Sequence, residues 1–444
     1  MTRSKRPGGG HKQTRSAEEF AAAYYDVTGN RTTAAGSHAE RVRSNLYRIL
    51  IIVIVLIVYG SLYPWDFHST QLAASPLWVL IHSWPDHIDR FLFRDIAVNV
   101  VIYIPVGVFG LLALRQKFHT PFAVTVTVLL ALALSSSIET AQLFDDAREC
   151  NAFDVLCNVS GTVLGVALGY VHQQWLKRFF ARTESAKVLY PSGAVLLFYT
   201  WLAYQGFPLF TVLSRTRLDD KFRYLFVAVS ISPLETFSYF VEWLVVAQLL
   251  ENVLGANRTR RLLPPPLLLL VLAAKLLVAG RIVTWSELAG AVLACICWYF
   301  LSGDRRRTAV VGGLIVSLLI VRGLVPYHWS RIANPFSWVP FGGFLRAEWD
   351  FGLLTLLQKC FWYGSAVWLL RAAGWRLIHA AVAVAVLLGA IEVIQIHLPG
   401  RVAEITDPLL ALILAMTLGL LDRFESERSN LSSTKVRTCD VELP

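Results

Sequence analysis

Charge is scarce in this 444-residue chain. Asp, Glu, Lys and Arg make up 16% of it, where soluble domains carry about a quarter. With 55% hydrophobic residues and a mean hydropathy of +0.52, that scarcity excludes an ordinary soluble domain. The chain also lacks the signatures of the commoner catalytic sites: no Gly-rich phosphate loop, no nucleophile–base pair and no metal-ligand cluster. Its six cysteines have no metal spacing. Cys295 and Cys297 fall two apart within one apolar run, on different faces, and read as small hydrophobes. His68, His82 and His87, near Asp66, Asp86 and Asp89, lack helical ligand spacing and read as surface residues. No metal and no cofactor are expected.

What the chain has instead is apolar length. Runs close to the span of a bilayer occur near 47–63, 95–114, 121–144, 154–173, 193–212, 224–250, 264–280, 287–302, 309–325, 353–370, 377–397 and 407–421. The expectation is an all-α polytopic membrane protein of about twelve transmembrane helices. The net charge of +10 comes from short basic clusters between the runs, which argues against nucleic acid and serves to orient the chain. Residues 1–46, Arg115 with Lys117, Lys177, Arg178, Arg182 and Lys187, Arg258 with Arg260 and Arg261, Arg305 to Arg307, Arg371 with Arg376, and Arg423 with Arg428 lie on one side. The positive-inside rule makes that side, and both termini, cytoplasmic. One outer segment, with Arg215, Arg217, Lys221 and Arg223, breaks the pattern. The polar segments 1–46 and 422–444 read as disordered tails, and the first apolar run as an uncleaved anchor.

A repeat lies within the runs. From Glu139, the residues Gln142, Arg148 and Asp154 follow at offsets of three, nine and fifteen; Gln395, Arg401 and Asp407 follow Glu392 at the same offsets. A fainter copy has Arg281 followed by Glu287. The chain thus divides into three four-helix units, 47–180, 192–302 and 309–421. Four crossings are even, so the repeats are parallel.

In the first unit Glu139 and Gln142 share a helix face near its outer end. Asn99 starts at the same depth on the second helix, and Asp154, Asn158, Gly161, Gly165 and Gly169 share a stripe on the fourth. Arg148 sits in the loop between. Each has a bland reading: Asn151 with Asp154, Thr284 with Glu287, and Asp407 before Pro408 all fit helix caps, and the glycines fit close packing. Glu139 is harder to dismiss, because a carboxylate in hydrocarbon costs about 2.5–3.5 kcal/mol on the lenient insertion scale. In the later units Lys275 with Glu235 and Glu242, and Lys359 with Glu392, suggest structural pairs. The first unit has no such lysine, only Asn99 and the terminal Arg94 on its second helix, so Glu139 must look to Arg148, Arg94 or a ligand, and the first unit is the favoured site.

These residues resemble the VanZ-like family of bacterial membrane proteins: Asn99, Pro105, Gly107, Glu139, Gln142, Arg148, Asp154, Asn158 and Gly161 follow its order and spacing. The resemblance is good across 47–172, partial across 309–421 and weak across 192–302. It implies a bacterial cytoplasmic-membrane protein of the cell envelope, in a family whose founding members are associated with resistance to the lipoglycopeptide teicoplanin. The leading expectation is an outer-leaflet polar pocket that binds a lipid-linked glycan precursor or lipoglycopeptide. The alternatives are an intramembrane enzyme using Glu139 as general acid or base, and a secondary transporter.

Overall fold

In an apolar solvent the backbone N–H and C=O groups have only each other, so each apolar run becomes a helix. The structure, a computed structural model, describes residues 45–69, 74–85, 90–180, 192–207, 215–227, 230–254, 264–278, 280–301, 306–347 and 349–439. The basic residues of 1–44, Arg258 to Arg261, and Asp86, His87 and Asp89 lie outside them. Among the described residues there is no β-strand.

Each of the twelve expected runs overlaps a helix among the described residues. The first group comprises α1 (Asn45–Ser61), a short α2 (Pro76–His82), α3 (Arg90–Leu114), α4 (Thr120–Gln142) and α5 (Ala152–Phe180). The second comprises α6 (Gly193–Gly206), α7 (Arg215–Val227), α8 (Pro233–Leu254), α9 (Pro264–Leu277) and α10 (Trp285–Leu301). The third comprises α11 (Arg307–Gly323), α12 (Gly342–Arg346), α13 (Trp349–Ala372), α14 (Leu377–Gln395) and α15 (Thr406–Cys439). Six of them, α3, α4, α5, α8, α13 and α14, contain segments long and apolar enough to cross a membrane, while α1, α9 and α10 are shorter apolar helices.

Two expectations are corrected. The run 224–250 is not one helix: α7 ends at Val227 and α8 starts afresh at Pro233, as suits a residue with no N–H to donate. The segment 422–444 is not wholly irregular, since α15 continues to Cys439. The basic segment that breaks the charge pattern is the polar helix α7, where Lys221 Nζ donates to the carbonyls of Leu276 (2.9 Å) and Val278 (2.6 Å). That ammonium caps the C-terminal end of α9, so its position follows from helix electrostatics.

Residues Asn45–Glu425 form one unit. Its main core lies among α6, α8, α10, α11, α13 and α14, around the fully buried Trp201, Phe361 and Ile315. Within the first group α3 and α5 meet backbone to backbone. A Cβ on Gly161 would fall 2.2 Å from Val100 O, one on Gly165 2.1 Å from Ile104 O, and one on Gly107 2.0 Å from Thr162 O. These glycines confirm the close-packing reading. Gly169 is different, because its nearest neighbours would stand 3.7 Å away. Gly161→Ala and Gly165→Ala should each destabilise the folded protein by about 1–3 kcal/mol, and Gly169→Ala should be tolerated. Thermal unfolding of the three variants in one detergent checks this order.

Candidate functional site

A helix ends with carbonyls that have no partner within it, and a proline two or three residues later supplies no N–H. The end of α1 has this problem before Pro64, and the end of α11 before Pro326. Gln142 Nε2 donates to Ser61 O (2.8 Å) and Arg148 Nε to Tyr63 O (2.7 Å). In the third group Gln395 Nε2 donates to Gly323 O (2.9 Å), and Arg401 donates from Nε to Val325 O and from Nη2 to Arg322 O, both at 2.8 Å. In the second group Arg281 Nε donates to Phe207 O (3.0 Å), just before Pro208, and its Nη2 to Tyr204 O. Three arginines therefore cap three helix ends in the same way, and the cation suits the negative end of the helix dipole. Burial pulls the Arg148 guanidinium below its ordinary pKa, and the Asp145 and Glu139 carboxylates push it back up.

The two glutamates also serve backbone. Glu139 Oε2 accepts from Asn151 N and Glu392 Oε2 from Glu404 N, each at 2.8 Å, so each carboxylate ties down the loop that leads into the next helix. Asn151 is the cap expected for α5, its Oδ1 accepting from Phe153 N (2.9 Å). Thr284 Oγ1 likewise accepts from Glu287 N (3.2 Å). Asp407, by contrast, is not a cap: it lies inside the first turn of α15, and its carboxylate turns to side chains.

The expected residues thus split into two sets. Gln142 and Arg148 hold α1. Asn99, Asp154 and Asn158 sit between α3, α4 and α5, where Asn99 hydrogen-bonds Asp154 and Asn158 Nδ2 donates to Ser135 Oγ (2.9 Å). Glu139 is buried between the two sets.

The lysine pairings differ from expectation. Lys359 Nζ bonds Asp407 Oδ1 (2.5 Å) rather than Glu392, and Tyr363 OH donates to Asp407 Oδ2 (2.5 Å). Lys275 pairs with Glu287 rather than with Glu235 or Glu242. Glu242 instead accepts from Trp201 Nε1 (2.7 Å) and from Gln205. In both groups the acid at the start of the fourth long helix takes the lysine. No earlier residue pattern pointed to Tyr363, although a signal exists: Asn99, Glu235 and Lys359 are each followed four residues later by a tyrosine, Tyr103, Tyr239 and Tyr363.

A cavity of about 350 Å³ opens in the third group, not beside Glu139. Arg322, Lys359, Arg401, Glu392, Gln395 and Asp407 supply its polar lining. Leu318, Trp362, Leu388 and Ile391 supply apolar wall. The acids are already engaged, Asp407 by Lys359 and Tyr363, Glu392 by Glu404 N. The exposed Arg322 also lines the cavity, and its guanidinium makes no hydrogen bond among the described ones. Among the described residues no cluster of His, Cys, Asp and Glu could hold a metal ion.

Removing one partner of a buried ion pair typically costs about 3–5 kcal/mol, most of it recovered when both go. Lys359→Met should therefore lower the folded fraction in detergent, Asp407→Asn added to it should restore a large part, and Glu392→Gln added to it should not. A double-mutant cycle on unfolding midpoints checks this, and coupling confined to Glu392 would contradict the pairing.

A family model described as VanZ/LLP1 matches residues 46–173. No curated protein and no solved structure was found to match the chain. The VanZ/LLP1 match spans α1 through most of α5, the segment that holds Gln142, Arg148 and the α3–α5 glycine crossing.

Proposed function

We propose that this chain is a VanZ-like membrane protein of the bacterial cell envelope that binds an amphiphile through a polar pocket at the outer leaflet. In this reading the twelve apolar helices all cross the cytoplasmic membrane as three parallel four-helix repeats, 47–180, 192–302 and 309–421. Both termini, with the tails 1–46 and 422–444, are cytoplasmic. The arginine caps support the repeats: Arg148, Arg281 and Arg401 each bond the carbonyl of the residue before a proline. Even-numbered units then put all three capped ends on the outer side, opposite the basic clusters.

The observation that carries the ligand class is the third-group cavity. Its cations, with Arg322 uncommitted, suit a phosphate or carboxylate headgroup. The adjoining Leu318, Trp362, Leu388 and Ile391 suit a hydrocarbon chain. A lipid-linked glycan precursor and a lipoglycopeptide both offer that combination. An intramembrane acid–base enzyme is the weaker reading, because the candidate carboxylates Glu139 and Glu392 hold backbone amides. A secondary transporter ranks lower still, since the charged groups gather at one end of the helices.

Arg322 is exposed, so Arg322→Ala should leave folding intact. It should weaken binding of a lipid-linked glycan precursor by roughly tenfold, the worth of one charge-assisted hydrogen bond discounted for exposure. Binding of phosphatidylcholine should not change. Titration of nanodisc-embedded protein, followed by native mass spectrometry, reads the ratio of the two; a ratio equal to that of the wild type would contradict the assignment of the pocket.

A further inference from the structure

The acid at the start of the fourth long helix is neutralised by the chain itself in two groups out of three. Glu287 has Lys275, and Asp407 has Lys359. In the first group Asn99 makes the contact to Asp154 that Lys359 makes to Asp407, and an amide brings no charge. The charges that reach Asp154 among the described side chains are acidic: Asp95, and Glu139 across α4. Arg148 answers Glu139. Hydrocarbon surroundings penalise an uncompensated carboxylate, and among the described side chains no positive charge neutralises Asp154.

A second observation points the same way. Asn158 lies one helical turn beyond Asp154 on the same face of α5, and it is 94% buried, with 6% of its surface exposed. Its Nδ2 is spent on Ser135, but its Oδ1 has no hydrogen-bond partner among the described groups. A buried carbonyl oxygen left bare costs about 1–3 kcal/mol. Asp154 and Asn158, about 5–6 Å apart at their Cβ atoms as i, i+4 neighbours, can both reach one ion between them. Tyr103, a turn along α3 from Asn99 and beside Ser135, adds a further oxygen.

We propose that the first group holds a small monovalent cation, sodium or potassium, between Asp154 and Asn158, in the place that Lys359 Nζ fills in the third group. The Asp154 carboxylate with amide and hydroxyl oxygens is the hard, weakly charged donor set that alkali cations take, and it offers no imidazole or thiolate to a transition ion. The glycine crossing of α3 and α5 then has a purpose beyond packing, because it brings Asn99 and Asp154 close enough to share the ion.

The test is the unfolding midpoint of the full-length protein in nanodiscs, in sodium, potassium or N-methylglucamine chloride at one ionic strength. A ligand that binds the folded state alone raises Tm with its concentration. The wild type should show a saturating rise with sodium or potassium over N-methylglucamine, and Asp154→Asn should lose it. Asn99→Lys, which supplies the missing ammonium, should fold without either ion and show no dependence on them. Equal midpoints of the wild type in all three salts would mean that water alone fills the site, and would overturn the proposal. So would an alkali-specific rise that survives in Asn99→Lys.

Discussion

The helix-end carbonyl is the constraint on which the rest of this structure depends. In hydrocarbon it cannot borrow water, and the prolines after α1, α6 and α11 deny it a following N–H. The chain answers with a side chain from the loop after the third long helix of each group, Arg148, Arg281 or Arg401. Because that arginine must reach back across its own bundle, it fixes the loop, and the loop places the start of the next helix. Glu139 and Glu392 finish the arrangement by accepting from Asn151 N and Glu404 N. A motif that looks like a catalytic constellation is thus first a set of caps.

With the ends held alike, the three groups differ in what fills the space below. The first closes it with glycine: Gly161 and Gly165 let α3 and α5 touch. The second adds polar contacts to a glycine approach of its own: a Cβ on Gly290 would fall 2.5 Å from Thr236 O, Lys275 pairs with Glu287, and Glu242 accepts from Trp201 and Gln205. The third does neither. Leu414 stands where Gly161 stands in the first group, and a leucine at such a crossing keeps helix axes apart. Lys359 is drawn to Asp407, which leaves room beneath Arg401 and Arg322 for the cavity. The groups are joined through their ends, Tyr59 OH to Pro340 O (2.8 Å) and Gln358 Nε2 to Tyr204 OH (3.0 Å), so the cavity is set in a continuous framework.

The helices were legible in the sequence because apolar length alone determines them, and Pro233 was the visible sign that one run would break. The offsets of three, nine and fifteen from Glu139 and Glu392 showed which residues recur. They did not show their partners, since Ser61, Tyr63, Gly323 and Val325 contribute backbone carbonyls that no residue type betrays. The lysine pairings were misjudged for a related reason. Depth along a helix suggested Glu392 for Lys359, but rotation about the axis decides, and Asp407 is the acid that α15 turns toward α13. A cavity is harder still to read, because it depends on volume left over after packing rather than on any residue present.

The central claim is that the third group, not the first, holds the amphiphile, while the arginines of both act as caps. The most direct measurement is an electron-cryomicroscopy map of the protein in nanodiscs supplied with a lipid-linked glycan precursor. The account predicts headgroup density between Arg322 and Arg401, with the chain descending past Leu388 and Ile391 and the Arg148 guanidinium still on Tyr63 O. Headgroup density at Arg148 with the third-group cavity empty would contradict it.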